Sequence, residues 1–371
     1  MAQKVVVAMS GGVDSSVAAL LLKRQGYEPV GLFMRSGVAE GDGAEGKAAA
    51  GARTCCSAAD AADGRRVAEQ IGIPFYVLNF ADQFQRLIDY FMDEYGHGRT
   101  PNPCIVCNRD LKFGRLFAHA DAVGAEVVAT GHYARLTPQP DGPPALRRGL
   151  DSAKDQSYVL FPIPRERLPR IVLPLGEMTK DETRRLAREA GLIVRDKEES
   201  QDVCFVAGDY IDFIRSRRPE LLRPGPVVDE TGREVGRHEG IAAFTIGQRK
   251  GLRIAFGEPR YVTRLDLETA TVHVGRDEDL LAAGLKVQDV NWLLDAPAAR
   301  PIEAEVQIRY RHAAAPAAVR ADGAGAVVRF RESQRAVTPG QAAVFYQGDR
   351  VVGGGWIERR LDEADFRALD L

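Results

Sequence analysis

The first two hundred residues alternate between short apolar runs and longer amphipathic stretches. Short apolar runs are typical of buried strands, and they lie at residues 5–8, 28–34, 75–80 and 127–130. Stretches with apolar positions at helical spacing predict helices, and these lie at residues 17–22, 57–71, 82–95, 111–120, 155–161 and 180–190. Strands that alternate with helices predict an α/β fold with a doubly wound parallel sheet.

The pattern changes beyond residue 205, where glycine, proline and alternating positions become more frequent. Val227 and Val228 precede Asp-Glu-Thr-Gly, which predicts a strand that leads into a turn. Later apolar runs are short and regularly spaced, at residues 304–310, 326–330, 342–346 and 351–357. This spacing predicts a small β-barrel. We therefore expect a catalytic domain at residues 1–205, a small central domain at 206–283 and a C-terminal β-barrel domain at 284–371.

Two segments read as loops. Residues 36–54 are rich in glycine and alanine and have few large apolar side chains, so we expect a mobile loop there. Four prolines between residues 138 and 144 predict a loop or the tip of a hairpin.

Composition and charge narrow the class of protein. The 371 residues suit two or three domains, and no run of eighteen apolar residues predicts a transmembrane segment. The chain enters its first strand without a signal peptide, which favours a cytoplasmic enzyme. The net charge of −2 means that a nucleic acid would have to bind through local basic patches. Five cysteines in such a chain favour catalytic or metal-binding roles over a disulfide scaffold.

The stretch Ser-Gly-Gly-Val-Asp-Ser at residues 10–15 lies between the first strand and the first helix. A glycine-rich turn there directs backbone N–H groups at a ligand, and the helix N-terminus adds partial positive charge, so the turn suits a phosphate. The stretch lacks the lysine of a Walker-type loop and resembles the PP-loop of the ATP pyrophosphatases instead. Those enzymes split ATP between its α and β phosphates and adenylate a substrate. Asp14 is either a Mg²⁺ contact or a helix-capping carboxylate, and both alternatives stay open.

A Cys-x-x-Cys motif at residues 104–107 is the second group of candidate reactive residues. Pro101 and Pro103 hold its approach extended. Asn108 is expected to cap the following helix, which would place Cys107 beside a helix N-terminus. That position favours the thiolate, which is the form of cysteine that attacks.

Three uses of the cysteines compete. In the first, Cys107 and Cys204 are a catalytic pair in which Cys204 carries sulfur as a persulfide. The second is a structural zinc site, which lacks a ligand unless Cys55 or Cys56 joins it. The third is an iron–sulfur cluster on Cys104, Cys107 and Cys204 with one iron left open. For Cys55 and Cys56 we favour the role of small buried hydrophobic residues.

Many stretches of the chain resemble the tRNA-specific 2-thiouridylase family (MnmA/TrmU) of the PP-loop superfamily. They are residues 8–16, 98–114, 130–135, 154–161, 199–206, 244–251, 307–310 and 339–346. Members of that family adenylate the C2 oxygen of the wobble uridine of tRNA with ATP. They then replace the oxygen with sulfur from a cysteine persulfide and release AMP and pyrophosphate. The resemblance implies that this chain is a tRNA sulfurtransferase of the same kind.

The resemblance also implies the roles of individual residues. Cys107 would be the nucleophile and Cys204 the persulfide carrier. The positions implied for ATP are Ala8, Met9, Ser10, Gly11, Gly12, Val13, Asp14, Ser15, Met34 and Gly131. The positions implied for tRNA are Asn102, Pro103, Cys104, His132, Lys154, Asp155, Gln156, Arg309, Tyr310 and Gln341. Many family members carry aspartate where this chain has Cys104, so the role of this cysteine as base, cluster ligand or resolving thiol stays open.

The implied ligands and partners are ATP with Mg²⁺, tRNA, and a sulfur donor protein that is a cysteine desulfurase or a relay protein. We expect a cytoplasmic monomer with no membrane association and no resident metal. Three rival hypotheses remain: a PP-loop ligase or amidotransferase acting on a small molecule, a tRNA-binding protein that uses ATP only as a switch, and a 4-thiouridine enzyme. The first needs no paired cysteines, and the second predicts no pyrophosphate.

Overall fold

A computed structural model describes residues 2–37, 57–199, 203–206, 208–252, 254, 257–294 and 300–368. The chain divides into two compact units. Unit 1 consists of Met1–Ile88, Pro103–Gly208 and Asp349–Val351. Unit 2 consists of Asp89–Asn102, Asp209–Gly348 and Val352–Leu371. Most of the predicted mobile loop, including Cys55 and Cys56, lies outside the described residues.

Unit 1 contains a parallel sheet. The strands in this part of the chain are β1 (Lys4–Ala8), β2 (Glu28–Arg35), β3 (Phe75–Asn79), β4 (Val127–Ala129), β5 (Ala134–Thr137), β6 (Ala145–Arg148) and β7 (Ile171–Val172). The sheet has the order β3-β2-β1-β4-β7, and each neighbouring pair is parallel. This order confirms the predicted doubly wound sheet. Strands β5 and β6 pair as an antiparallel hairpin around the proline-rich tip.

The helices that accompany this sheet in sequence are α1 (Val13–Arg24), α2 (Ala58–Ile71), α3 (Ala81–Gly96), α4 (Pro103–Val106), α5 (Leu116–Ala122) and α6 (Lys180–Glu189). A π-helix, Cys107–Arg115, joins α4 to α5 without a break. The helix predicted at residues 111–120 therefore begins earlier, at Pro103. The helix predicted at residues 155–161 is wrong in length, because only one 3₁₀ turn, Ser157–Val159, forms there.

Both faces of the sheet are covered. Val5 and Val7 on β1 pack into a core that includes Val17 of α1. Side chains alternate along a strand, so Val6 and Val128 face the other side, where α5 contacts β1 and β4. Coverage on both faces explains why β1 is an almost uninterrupted apolar run.

Unit 2 contains a small sheet and a barrel. The first part consists of α7 (Tyr210–Arg217), β8 (Gly225–Val228), β9 (Glu234–His238), β10 (Tyr261–Asp266) and β11 (Thr271–Gly275). Its sheet has the order β10-β11-β8-β9. The strand and turn predicted from Val227 are confirmed as β8 and the turn to β9. The sequence analysis missed α7, which has only eight residues.

The barrel follows. Its strands are β12 (Leu281–Trp292), β13 (Ile302–Gln307), β14 (Ala315–Asp322), β15 (Gly325–Arg335), β16 (Ala342–Gln347) and β17 (Arg350–Leu361), and a last helix α8 (Glu363–Ala368) comes after them. The order is β12-β15-β14-β13-β16-β17, and pairing of β12 with β17 closes the ring. The predicted β-barrel is confirmed. The strand predicted to reach Tyr310 ends at Gln307, so Arg309 and Tyr310 lie in the turn beyond it.

The predicted division into three domains at residues 205 and 283 stays a prediction. Among the described residues, no helix has the length and apolar character needed to cross a bilayer.

Candidate active site

The glycine-rich turn lies where the sequence predicted it, between β1 and α1. Gly12 is the N-cap residue and α1 begins at Val13, with no side-chain cap. The backbone N–H of Ser10 donates to Ser15 Oγ at 3.1 Å, which folds the turn over the first turn of the helix. The first N–H groups of a helix lack intrahelical acceptors, so this end of α1 offers donors to an anion.

Two glycines let neighbouring backbone approach the turn closely. Gly11 has φ +72°, and a Cβ there would lie 2.2 Å from the carbonyl oxygen of Asp60 in α2. A Cβ on Gly131 would lie 2.8 Å from Asp14 C and Ser15 N. Gly131 follows β4, which neighbours β1 at the point where the strand order reverses. Ligands of doubly wound sheets bind at such a point.

The ten positions predicted for ATP lie at or just beyond the carboxyl ends of three neighbouring strands, β1, β2 and β4. Ala8 ends β1, Met34 lies near the end of β2, and both are buried. Because parallel strands end at the same edge, these positions share one edge of the sheet with residues 9–15 and Gly131.

Asp14 is paired with two side chains that the sequence analysis did not identify. Its carboxylate accepts hydrogen bonds from Lys180 Nζ at 2.7 and 2.8 Å and from the hydroxyl of Tyr133 at 2.9 Å. Burial and the charge of Asp14 raise the pKa of Tyr133, so this hydroxyl stays protonated and donates. The capping alternative for Asp14 is wrong, because Gly12 is the N-cap. The Mg²⁺ contact stays a prediction.

Lys180 also belongs to a second set of ion pairs, centred on Glu199. Lys154 Nζ donates to Glu199 Oε2 at 2.7 Å, and Lys180 Nζ lies 3.0 Å from Glu199 Oε1. Arg184 lies 3.7 Å from the same oxygen. Burial raises the pKa of Glu199, but hydrogen bonds from Lys154 and Lys180 outweigh burial and lower it to about 2. This carboxylate is therefore ionised at neutral pH.

Lys197 fastens the segment before Glu199 to the glycine-rich turn. Its Nζ donates to Gly11 O at 3.0 Å and to carboxylate oxygens of Asp60 and Asp63 at 2.7 Å each. Asp60 also completes a capping box with Ser57 at the start of α2.

The sequence analysis missed Tyr133, Lys180, Lys197 and Glu199 as members of this site. The only local signal was the capping box of Thr179 and Glu182, which marks the start of α6 and so the position of Lys180. No spacing in the sequence pairs Lys180 with Asp14, because the two residues are 166 positions apart.

Cys107 is the first residue of the π-helix, which continues α4 without a break. Cys107 therefore does not lie beside a helix N-terminus as predicted. Asn108 does not cap this helix, and its predicted role is wrong: it lies within the helix, and its side-chain N–H₂ donates to Val159 O at 3.1 Å. A Cβ on Gly114 would lie 2.9 Å from the carbonyl oxygen of Arg109, five residues earlier. Glycine therefore permits the wide turns of this segment, and π-helical turns are frequent at functional sites.

The described cysteines are thiols. Cys104 is exposed, Cys107 and Cys204 are half-buried, and no disulfide joins them. In the described part of the chain, no group of three or more His, Cys, Asp or Glu residues is arranged to hold a metal. The iron–sulfur alternative on Cys104, Cys107 and Cys204 stays a prediction, and no step below involves a cluster. The zinc alternative depends on Cys55 or Cys56, which lie outside the described residues.

Four positions predicted for tRNA lie in unit 1 beside this site. His132 is buried next to Lys112, and burial followed by the Lys112 charge lowers its pKa well below the usual value, so the ring is neutral. Gln156 Oε1 accepts from the backbone N–H of Tyr133 at 3.0 Å. Asp155 accepts from the N–H of Gly149 and from Arg148, each at 3.0 Å. Lys154 pairs with Glu199, as described above.

Pro103 and Cys104 start α4 in unit 1. The other positions predicted for tRNA belong to unit 2: Asn102, Arg309, Tyr310 and Gln341. Tyr310 exposes 37% of its surface. Gln341 directly precedes β16, and its Nε2 donates to Thr100 O at 2.9 Å.

Three family models match the chain. The first, described as a tRNA methyl transferase HUP domain, matches residues 3–208. The second, a tRNA methyl transferase PRC-barrel domain, matches residues 211–276. The third, an aminomethyltransferase beta-barrel domain, matches residues 282–357.

Similar proteins span nearly the whole chain. A tRNA-specific 2-thiouridylase MnmA of Rhodopirellula baltica is 48% identical over 388 residues, which covers 97% of each chain. The enzymes of the same name from Geobacter metallireducens and Carboxydothermus hydrogenoformans are 50% and 49% identical, and each match covers 97% of this chain and 98% of the relative. A solved 4-thiouridine synthetase–RNA complex with bound ATP matches 56% of this chain and 46% of its own, at 18% identity and a TM-score of 0.36. On its near-complete match to the curated relatives, the chain belongs to the MnmA family of tRNA-specific 2-thiouridylases.

Proposed function

We propose that this chain is an ATP-dependent tRNA uridine 2-sulfurtransferase that thiolates the C2 position of the wobble uridine. The match to thiouridylases over 97% of the chain carries this conclusion. The glycine-rich turn at the reversal point of a doubly wound sheet supports it, because that turn suits a phosphate ligand.

The first step is adenylation of the uridine C2 oxygen. A urea-like carbonyl is a poor electrophile, and transfer of AMP converts its oxygen into a leaving group. Pyrophosphate departs from the α-phosphate of ATP, and the N–H groups at the start of α1 hold its charge. Mg²⁺ arrives with ATP as part of the substrate and offsets that charge. Asp14 has the hard oxygen donors that Mg²⁺ prefers.

The second step is sulfur transfer. The terminal sulfur of a Cys204 persulfide attacks C2, the C2–O bond breaks and AMP leaves. The Cys107 thiolate then attacks the Cys204 sulfur, so the sulfur–sulfur bond breaks and 2-thiouridine is released. Cys107 and Cys204 end as a disulfide, which a thiol reductant returns to two thiols. Both residues are thiols in this structure, and a Cys204 thiol is the form that accepts the outer sulfur of a donor persulfide before the step begins.

The direct test is mass spectrometry of tRNA nucleosides after incubation with ATP, Mg²⁺ and a sulfur source. We expect 2-thiouridine together with AMP and pyrophosphate, and pyrophosphate release that depends on tRNA. Release without tRNA would favour a small-molecule ligase. A tRNA complex that forms no pyrophosphate would favour a binding protein that uses ATP as a switch.

The cysteine mechanism has its own test. Cys107→Ser and Cys204→Ser should each abolish thiolation and leave ATP binding intact, because neither side chain belongs to the glycine-rich turn. Full thiolation by either variant would contradict the persulfide step. The cluster alternative is tested by anaerobic purification with iron and sulfide analysis. Full thiolation by Cys104→Ala in the absence of iron would contradict it.

The partners follow from the same activity. A wobble base must be unstacked before it can enter a pocket, so the enzyme also has to hold the surrounding stem. We propose that residues 1–205 perform the chemistry and that residues 206–283 and 284–371 hold tRNA, with Arg309, Tyr310 and Gln341 among the contacts. A cysteine desulfurase or relay protein would supply the sulfur to a cytoplasmic monomer.

A further inference from the structure

Three cations surround one carboxylate beside the candidate ATP turn. Lys154, Lys180 and Arg184 lie 2.7, 3.0 and 3.7 Å from oxygens of Glu199. Lys180 also contacts both oxygens of Asp14, and its side chain is only 9% exposed. The five groups carry three positive and two negative charges. The cluster therefore has an excess positive charge of one.

Such a cluster suits a stronger anion than a carboxylate. Ammonium and guanidinium groups bind carboxylate and phosphate oxygens through the same charge-assisted hydrogen bonds. A polyphosphate carries more negative charge than Glu199 and offers more acceptor oxygens, so it would balance the three cations better. The Glu199 side chain is 30% exposed, so solvent and a ligand can reach the carboxylate that these cations hold.

The position of Lys180 indicates which phosphate would bind. The glycine-rich turn has no lysine, whereas Lys180 reaches it from α6 and contacts Asp14, two residues beyond the N-cap Gly12. The turn suits one phosphate through its N–H groups. Lys180 lies where it can bind the next phosphate of the same polyphosphate, beside the phosphate that the turn binds.

We propose that the carboxylate of Glu199 occupies a phosphate-binding site built by Lys154, Lys180 and Arg184, and that the polyphosphate of ATP displaces it. The inference rests on the proposed function, because it takes ATP as the ligand of the neighbouring turn. Lys180 exchanges one anionic partner for another, and no covalent bond changes. A backbone phosphate of tRNA has the same chemistry and could reach Lys154, which is 29% exposed. The experiment distinguishes the two sources of phosphate.

The test measures binding of inorganic pyrophosphate, AMP, Mg·ATP and tRNA to the full-length protein by titration calorimetry. Glu199→Gln keeps the size of the side chain but removes its charge, so pyrophosphate and ATP should bind about tenfold more tightly. Lys180→Met should weaken both about tenfold. AMP binding should change by less than about twofold in either variant, because AMP lacks the displaced phosphates.

A matched control is Lys23→Met, which removes a lysine from the far end of α1, where it donates to Gly72 O at 2.8 Å. Its ligand affinities should equal those of the wild type. If thermal melting shows that Lys180→Met does not fold, Arg184→Met removes another cation of the same cluster and should weaken pyrophosphate and ATP binding while AMP binding stays unchanged.

Three results would overturn the inference. The first is weaker or unchanged pyrophosphate binding by Glu199→Gln, which would make this carboxylate purely structural. The second is an equal loss of AMP and pyrophosphate binding by Lys180→Met, which would mean that the lysine shapes the whole nucleotide pocket. The third is a loss of tRNA affinity by Lys180→Met with unchanged ATP and pyrophosphate binding, which would overturn the assignment to ATP. A wild-type protein that binds no ATP would instead contradict the proposed function.

Discussion

The ammonium group of Lys197 lies 3.0 Å from the carbonyl oxygen of Gly11, although the two residues are 186 positions apart. The same group contacts Asp60 and Asp63 of α2. One side chain thus joins the glycine-rich turn, the start of α2 and the segment that follows α6. The shape of the candidate ATP turn depends on this contact as well as on the turn's own residues.

Lys197→Met should lower the free energy of unfolding by about 1–3 kcal/mol, since it leaves two partly buried carboxylates without their cation. Arg66→Ala is the matched control, because Arg66 meets the same Asp63 at 4.0 Å but is 68% exposed. The control should lose less than about 1 kcal/mol. Equal losses in urea denaturation would contradict the structural role of Lys197.

The contribution of Lys197 should depend on pH in one direction. Burial lowers its pKa, but hydrogen bonds to Asp60 and Asp63 outweigh burial and raise it above its usual value. A raised pKa in the folded state means that the stabilisation is complete below the unfolded value of about 10.4 and is lost at higher pH. The stability difference between wild type and Lys197→Met should therefore stay constant from pH 7 to about 10 and then shrink.

The two adjacent glycines of the turn should respond differently to alanine. Gly11→Ala places a Cβ 2.2 Å from Asp60 O at a positive φ, whereas a Cβ on Gly12 meets only Ser10 Oγ at 3.5 Å. Gly11→Ala should lower the free energy of unfolding by about 2–3 kcal/mol. Gly12→Ala should change it by less than about 1 kcal/mol. Thermal melting of both variants measures the contrast, and similar melting temperatures would show that α2 does not pack on the turn as described.

Glu199 should stabilise the fold in a pH-dependent manner opposite to that of Lys197. Hydrogen bonds from Lys154 and Lys180 outweigh burial and lower its pKa from 4.5 to about 2. A lowered pKa means that the stabilisation is complete above about pH 4.5 and is lost as pH falls towards about 2. The charge-dependent difference in melting temperature between wild type and Glu199→Gln should begin to shrink below about pH 4.5. A difference that stays constant down to pH 3 would contradict the ion pairs.

Gly114→Ala tests the π-helix that begins at Cys107. Its Cβ would lie 2.9 Å from Arg109 O, so the segment has to change its turns to accept the methyl group. A shift of this kind moves Cys107 relative to the sheet, and small displacements of a reacting group lower rates strongly. We expect single-turnover thiolation to fall by about 10–100-fold while ATP affinity stays within about twofold. An unchanged rate would show that the π-helix is not needed to position this thiol.

Much of the fold follows from local patterns. The apolar runs of β1 to β4, the glycine-rich turn and the short strands of the barrel are each visible within ten residues, because strand and helix periods belong to the backbone itself. The predictions that were wrong concern local preferences that tertiary contacts override. Asn108 has a good capping side chain but bonds Val159 O instead. The predicted helix at residues 155–161 shortens to one turn, and Gln156 there bonds the backbone of Tyr133.

The sequence by itself determined the doubly wound sheet, the barrel and the place of the phosphate-binding turn. Each of these is predicted from residue patterns within single strands, helices and turns, and from the order of those elements along the chain. Only the tertiary structure decided which charges surround that turn. Lys180, Lys197 and Glu199 reach it from a helix and a segment more than 160 residues away. The partner of a charged side chain depends on which elements pack together, and no period along the chain records that choice.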